Sequence, residues 1–440
     1  GLGSVTDVFY AEESDAWEDA ANFETFYRAW KGSSRQKRLN EKKMFGYYGG
    51  AAAENGGANS LKAPLLEVIN GEELIVRLTY SEPMGEPRTA EVTLDYGGCE
   101  VRLDQLTQAK WMRKNDTVTN PFQNTVTHTR EWVLDTLEKD GPRFQELFQA
   151  GVGAFTGNPG PIGENFTVTA RIRSTTVASP DVVNGPHNSL FADGSGEETA
   201  YLENLRHLQN LDHDFSKVEG KKTAVQTGDI DCGASMFTGY EFVPIQNDEL
   251  KSYCGSHAAN EGAEAAAHFI KGLKVTAASA NGRNGGLFAT VQGDSANKQW
   301  SFQDVRLINT RIAANDGLKP VPAGALAGVA TNTTFTNCWV YWEGEALEAL
   351  KVSIPESGLK DNHYQITGTN AGGLVGELNG GMIKDCLAAT LVKGTNTAGG
   401  LVGLAEDTVT VERSYADCYL TAGTVAGLVG ATDATVSFTN

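Results

Sequence analysis

Much that would announce a chemistry is missing from these 440 residues. Cysteine is scarce: Cys99, Cys232, Cys254, Cys338, Cys386 and Cys418 are the six, and no two stand in a C-x-x-C pair. That is too sparse for a disulfide scaffold and excludes zinc-ribbon and thioredoxin-like patterns. Positive charge is also short, with 36 Lys and Arg against 55 Asp and Glu, a net charge of −19. An acidic surface repels polyanions, so neither nucleic acid nor an anionic lipid surface is an expected partner. No apolar run approaches the ~20 residues that cross a bilayer, so no membrane span is expected. Gly1-Leu2-Gly3-Ser4 shows no basic segment followed by an apolar core. A mature chain would have lost such a leader.

Catalytic signatures are missing as well. A zinc peptidase needs two His on one helical face with a Glu between them. His257 and His268 with Glu261 and Glu264 come nearest, at the wrong spacing. There is no G-x-S-x-G elbow and no phosphate loop ending in G-K-S/T. Asp212, Asp214, Asp229 and Asp231 could converge if their strands stack, as polysaccharide cleavage with calcium would require. No basic residue is placed beside them by the sequence, and a solvated capping turn is the expectation. No cofactor and no catalytic residue is expected.

What is abundant is glycine, 50 residues of it, and it is ordered. Ala371-Gly372-Gly373-Leu374-Val375-Gly376 returns as Ala398-Gly399-Gly400-Leu401-Val402-Gly403 and as Val425-Ala426-Gly427-Leu428-Val429-Gly430, with 403 − 376 = 27 and 430 − 403 = 27. Looser copies stand upstream at Gly285-Gly286-Leu287-Phe288-Ala289 and at Ala323-Gly324-Ala325-Leu326-Ala327-Gly328. A fixed period of this size marks a solenoid. Leu occupies the fourth position of every copy, and Gly or Ala the sixth. In a strand these two share a face, so both are expected in a narrow core, with the fifth position facing outward or into a second layer. The paired glycines suit a corner with positive φ or with close approach of neighbouring coils. About three short extended runs fill each period, the content of one coil of a right-handed parallel β-helix. The fold expected is therefore mainly β, such a solenoid with short capping helices and loop insertions. Cys338 and Cys386 each follow their repeat glycine by ten residues (338 − 328, 386 − 376), with Ser414 as the next equivalent. A small residue stacked in the core is expected there; the spacing also allows a disulfide between neighbouring coils.

The chain divides near residue 198. Residues 1–197 read as a mixed α/β region that could be a diverged β-helix unit, and 198–440 as the β-helix. Phe23, Phe26, Tyr27 and Trp30 predict an amphipathic helix over 14–30, and 33–43 a solvated polar loop. Strands are predicted at 74–80, 90–96, 99–103 and 166–173. Trp132, Val133, Leu137, Phe144, Leu147 and Phe148 predict two short helices broken at Gly141-Pro142. Leu202, Leu205, Leu208 and Leu211, three apart, predict a short helix covering the open end of the solenoid. The distance from Gly328 to Gly376, 48 residues, exceeds the period by 21, read as a loop over Glu343–Asn362. Phe438-Thr439-Asn440 matches Phe335-Thr336-Asn337, so the chain stops partway through a coil, and more coils or an anchor are expected beyond it.

The Ala/Gly-Gly-Leu-Val-Gly copies, each followed by an apolar-x-x-Cys/Ser run, resemble the GLUG-motif repeats of large secreted or surface-attached bacterial proteins. The segment Asn204-Leu205-Arg206-His207-Leu208-Gln209-Asn210-Leu211, with Gln226, Asp229-Ile230-Asp231 and Pro244-Ile245, is similar to the unit that precedes such repeats. The resemblance covers roughly 198–440 and implies a surface β-helix; the repeat carries no single known activity. The resulting expectation is a non-catalytic extracellular or cell-surface protein, an adhesin-like stalk or filament element with binding loops. Its partners would be a host or bacterial surface glycan or protein, or copies of itself. Trp339, Tyr341 and Trp342 are either a sugar platform or packing residues. The alternative is a polysaccharide-degrading β-helix enzyme, or the non-catalytic arm of a larger surface peptidase.

Overall fold

The computed structural model describes residues 61–440 except 107, 150, 151, 153, 154, 160–163, 197, 213–221, 234–239, 259–263, 296–298, 316–318, 344–363, 434 and 440. The helix predicted over 14–30, the polar loop 33–43 and nearly all of the Glu343–Asn362 insertion lie outside the described residues.

The first unit is antiparallel. Strands β1 (Leu65–Asn70), β2 (Glu73–Pro83), β3 (Thr89–Tyr96), β4 (Cys99–Arg102), β5 (Met112–Asn120), β6 (Thr125–Thr136), β7 (Phe155–Thr156), β8 (Asn165–Arg173) and β9 (Val182–Asn188) build two sheets. One runs β1-β2-β6-β5, the other β7-β4-β3-β8-β9. Alternation decides which side is buried. Leu74, Val76, Leu78 and Tyr80 of β2 meet Val92, Leu94 and Tyr96 of β3 and Phe166, Val168 and Ile172 of β8 in one core. Trp111, Trp132 and Phe144 fill the space between them.

Two expectations for this region are corrected. Residues 129–136 belong to β6 rather than a helix; Phe144–Phe148 alone keeps a helical turn, of the 3₁₀ kind. The apparent helical spacing joined the end of a strand, rich in Thr and Val, to a separate turn beyond Pro142. Nor is the described part of 1–197 a diverged copy of the C-terminal half: its strand pairings are antiparallel throughout.

From Thr199 the pairing becomes parallel, apart from a short antiparallel pair of Ser256–His257 with Ala266–Ala267. A ten-stranded sheet starts at Thr199–Leu202 and takes in Thr223–Gln226, Ser252–Cys254, Phe288–Gln292, Trp300–Gln303, Ala327–Thr336, Val375–Lys384, Val402–Glu412, Val429–Thr432 and Val436–Thr439. A six-stranded sheet holds Ile230–Asp231, Phe269–Lys271, Arg306–Ile308, Trp339–Tyr341, Leu387–Ala389 and Tyr415–Ala416. A seven-stranded sheet includes Gln365–Gly372, Leu391–Gly399, Tyr419–Thr421 and Thr424–Ala426. Each 27-residue period contributes to all three sheets and pairs parallel with its successor, with a register shift in Gln365–Gly372 and in Val375–Lys384. Val375 lies beside Val402 and Val402 beside Val429; Ala371 lies beside Ala398 and Ala398 beside Val425.

The repeated leucines follow one another through the backbone. Leu326 N donates to Leu374 O (2.9 Å), Leu374 N to Leu401 O (2.9 Å) and Leu401 N to Leu428 O (2.9 Å). Leu287, Leu326, Leu374 and Leu401 are fully buried in one cluster, against which the partly buried Leu428 packs. The fifth position is not outward: Phe288, Ala327, Val375 and Val402 enter the same cluster. The strand alternation fails because Gly373-Leu374 is a bend between the strands ending at Gly372 and starting at Val375. The glycines serve close approach, not positive φ. A Cβ on Gly373 would stand 2.6 Å from the Ala388 Cβ, and one on Gly400 would strike Gly427 O and Ala416. At the sixth position a Cβ on Gly376 would lie 2.5 Å from both Ala323 N and Gly328 O.

A second column turns the corner from the ten- to the six-stranded sheet. Asp304, Asn337, Asp385 and Arg413, successive equivalents, all have φ of 42–54°. Asp and Asn tolerate that region; Arg413 is the exception in the column. Here they also bind along the column: Asn337 Nδ2 donates to Asp304 Oδ1 (2.6 Å), and Arg413 grips Asp385 with two bonds of 2.8 Å. Next to it stack Cys338, Cys386 and Ser414; Cys338 N donates to Cys386 Sγ (3.4 Å) and Cys386 N to Ser414 Oγ (3.1 Å). All six cysteines are free thiols. Burial first, then hydrogen bonding to Cys386, pushes the Cys338 thiol well up from its ordinary range.

Candidate functional site

The six-stranded sheet has a core side and an outer side. Ile270, Leu307, Val340 and Ala388 point into the apolar cluster and are at most 1% exposed. The residues flanking them take the opposite side. One outer column is Phe269, Arg306, Trp339, Leu387 and Tyr415, and a second is Lys271, Ile308, Tyr341 and Ala389. Parallel pairing sets successive members about 4.8 Å apart. Groups distant in sequence are thereby aligned as a ladder, with the rings of Phe269, Trp339, Tyr341 and Tyr415 and the Arg306 guanidinium interspersed with Leu387, Ile308, Ala389 and Lys271.

The Arg306 guanidinium lies over the Trp339 ring, 4.3 Å from its centroid, a cation–π contact. Its Nε is buried without a hydrogen-bond partner among the described residues. Tyr415 is 61% exposed, so the far end of the ladder is open. Beside the strand Trp339–Tyr341, Lys271 Nζ binds Glu343 Oε2 at 2.6 Å, and Glu343 N donates to Asn309 Oδ1 at 2.8 Å. That contact holds the Lys271 ammonium above its ordinary pKa. Trp342 meets Tyr364 edge to face, centroids 5.3 Å apart. Of the sequence-nominated platform, Trp339 and Tyr341 share the outer side of one strand, and Trp342 follows directly.

The other nominated residues have separate local partners. Asp212 Oδ1 accepts from Arg283 Nη1 (2.6 Å) and Gln246 N (2.8 Å). Asp229 Oδ1 accepts from Phe269 N (3.2 Å) with His268 Nδ1 3.5 Å away, and Asp231 Oδ1 accepts from Gly233 N (2.9 Å). The His257 ring packs on Tyr201 at 5.3 Å. Glu264 is exposed, whereas Asp214 and Glu261 lie outside the described residues. Among the described residues no group of three His, Cys, Asp or Glu could hold a metal ion, and no helix is long and apolar enough to cross a membrane.

The repeat residues are structural. Gly286, Gly324, Gly328, Gly373, Gly376, Gly400, Gly403 and Gly430 admit neighbouring backbone where a Cβ would stand, whereas Gly427 has open space. Leu287, Leu326, Leu374, Leu401 and Leu428 line the column already described.

Sequence reasoning missed a charged cluster between the antiparallel and parallel units. Helix α1 (Leu205–Gln209) buries its whole length. Asn204 caps it, accepting from His207 N at 2.9 Å. Burial raises the pKa of the neighbouring Glu72 carboxyl, an effect that the backbone of Arg206 and Leu205 and the Arg206 charge partly offset. Arg206 is fully buried and gives Nη1 to Asp135 Oδ2 (3.0 Å), Nε to Gly71 O (2.9 Å) and Nη2 to Asn70 Oδ1. Burial, and then the Arg206 cation, keep the neighbouring His207 well below the usual histidine pKa. The predicted helix exists, but its exposed-looking polar side is covered by the antiparallel unit. Leucines three apart signalled one buried stripe; nothing in the local pattern signalled a carboxylate arriving from residue 135.

A smaller network joins His187 Nδ1 to Asp193 Oδ2 (2.6 Å) and Asn70 Nδ2 to Asp193 Oδ1 (2.8 Å). Burial alone would raise the Asp193 pKa. Hydrogen bonds from His187, Asn70 and Asn188 outweigh it and hold the carboxyl below its ordinary value.

No protein-family model matches the chain, and no curated protein matches it.

Proposed function

We propose that residues 198–440 are a right-handed parallel β-helix of GLUG-like repeats. We further propose that the protein is a non-catalytic bacterial extracellular or surface element, a stiff rod presenting a binding face. The observation that carries this reading is the register of the repeat. Val375, Val402 and Val429 pair in succession, as do Trp339, Leu387 and Tyr415, so each period repeats the placement of the one before. Right-handed crossover between parallel strands is the strong general preference. Such stacking buries a continuous core in which each turn supports its neighbours.

The face proposed to bind is the outer side of the six-stranded sheet, and the ligand class is a surface glycan. Rings of Trp339, Tyr341 and Tyr415 can stack on the C–H faces of sugar rings, and the Arg306 guanidinium can donate to hydroxyl or carboxylate oxygens. The strand spacing is comparable with the length of one sugar unit, so a chain lying along the ladder meets Arg306, Trp339, Leu387 and Tyr415 at successive steps. The net charge of −19 disfavours long polyanions and leaves neutral or sparsely acidic glycans.

The test is a glycan array read with the wild type and with Trp339→Ala and Tyr415→Ala, with degradation products assayed on the same glycans. Retained binding that the two variants abolish supports the reading. No binding on any glycan, or turnover of a polysaccharide, overturns it.

A further inference from the structure

We infer that β5 is an interface for a second copy of this chain, which adds edge to edge as an antiparallel strand. Strand β5 lies at the end of its sheet, and no described strand pairs with its outer side. It is nine residues long. A long strand with one side open presents a row of N–H and C=O groups ready to pair. The opposite edge of the same sheet is handled differently: β1 is overlain by β9, whose Asn184 Nδ2 donates to Leu66 O (3.2 Å).

Strand β5 also projects. Residues 115–119 are all exposed, on both faces of the ribbon. Apolar side chains gather towards its tip: Phe122 is 100% exposed, Val118 61% and Met84 42%, with Met84 N bonded to Asn124 O in the turn. Solvent is a poor environment for such a group of side chains, and partner surfaces are a common reason for it.

Charge selects the occupant and the register. Lys114 and Asp116 lie on one face of the strand, Nζ to Oδ2 3.4 Å, both well exposed. A two-fold axis through Asn115 sets Lys114 opposite Asp116 of the second copy, and Asp116 opposite its Lys114. The strand is thus self-complementary in charge about that axis, with Val118 brought alongside Met112 of the second copy. An axis through Thr117 would instead set Asp116 against Val118. The interface is therefore symmetric about Asn115 and spans 112–118 of each copy, while the irregularity between Met112 and Lys114 belongs to the pairing with β6 on the inner side.

The experiment is sedimentation velocity on the full chain over a wide concentration range, with Lys114→Asp, Asp116→Lys and the doubly exchanged chain. Each single variant sets like charges opposite one another twice and should weaken the dimer about tenfold. The exchange of both restores the pairs and should restore the wild-type constant. Both side chains are exposed, so circular dichroism should be unchanged in all variants. A chain monomeric at every concentration overturns the inference, as does a dimer indifferent to the substitutions. It is equally overturned if hydrogen exchange finds the 114–120 amides uniformly protected in the monomer, because another segment, such as residues 1–60, then covers the edge.

Discussion

Replacing Asp135 by Ala should be among the most damaging single changes in the chain. Asp135 is 2% exposed and Arg206 0%. The carboxylate accepts from Arg206 Nη1 (3.0 Å), Phe144 N (3.3 Å) and Asn210 Nδ2 (3.5 Å). Removing it leaves a fully buried guanidinium without its hydrogen-bonded carboxylate, with Glu72 as the remaining nearby carboxyl. Breaking one side of a buried pair costs about 3–5 kcal/mol, because the surviving charge stays out of water. The bonds from Arg206 to Gly71 and Asn70 persist and keep the figure from growing. The matching control is Glu198→Ala, which removes a pair to Lys222 exposed on both sides (60% and 69%) and should cost under about 1 kcal/mol. Equilibrium urea unfolding followed by tryptophan fluorescence and circular dichroism measures both. Because the pair ties the antiparallel unit to α1, Asp135→Ala should also separate the unfolding of the two units. The combined change Asp135→Leu with Arg206→Met should recover much of the loss, since it removes the charge as well as its partner. A cost for Asp135→Ala below about 1 kcal/mol, or a double variant as unstable as the sum of the singles, would refute the reasoning.

Three further outcomes rest on the same structure. Leu401→Ala should cost about 2–5 kcal/mol by opening a void in the leucine column, and Leu428→Ala, at a partly exposed site, distinctly less; chemical denaturation of the two ranks them. His207 is held neutral in the folded state, with its pKa below the unfolded value, so the unfolded chain takes up more protons as pH falls through the ordinary histidine range. Its contribution is therefore fully present above about pH 6.5 and declines below it by up to about 1.4 kcal/mol per pH unit, a slope that His207→Gln should flatten when stability is compared between neutral and mildly acidic buffer. The Cys338 thiol, buried and raised in pKa, should resist alkylation in the native protein and react after denaturation, as mass spectrometry of the Cys338 peptide will show; rapid native labelling would contradict its place in the column.

Much of the parallel half was legible in the chain itself. The 27-residue spacing, the invariant Leu and the small flanking residues located the column, and the Cys338–Cys386–Ser414 equivalence named three side chains that do stack. Repetition makes this possible, because one pattern is tested again at every turn. Strand prediction in the antiparallel half succeeded where alternation was clean, as in Thr89–Tyr96 and Asn165–Arg173. It failed over 129–136, where polar Glu131, Asp135 and Thr136 are buried along with Trp132, Val133 and Leu134, so the alternation of polar and apolar residues is lost. The fifth repeat position failed for another reason: a bend at Gly373-Leu374 resets which way side chains point. The outer ladder was only half visible. Trp339 and Tyr341 could be named, but Arg306 and Tyr415 come from other periods, and their alignment depends on strand register.

Sequence alone thus determined that a Leu/Gly unit recurs, that the surface is acidic, and which short runs are extended. Local pattern suffices for these, since they depend on neighbours within one period. Tertiary structure alone decided that the first unit pairs antiparallel, that β5 ends its sheet among the described residues, and that Arg206 spends its charge on Asp135, 71 residues away. A buried ion pair has no periodicity to announce it; only the packing of two units brings donor and acceptor together.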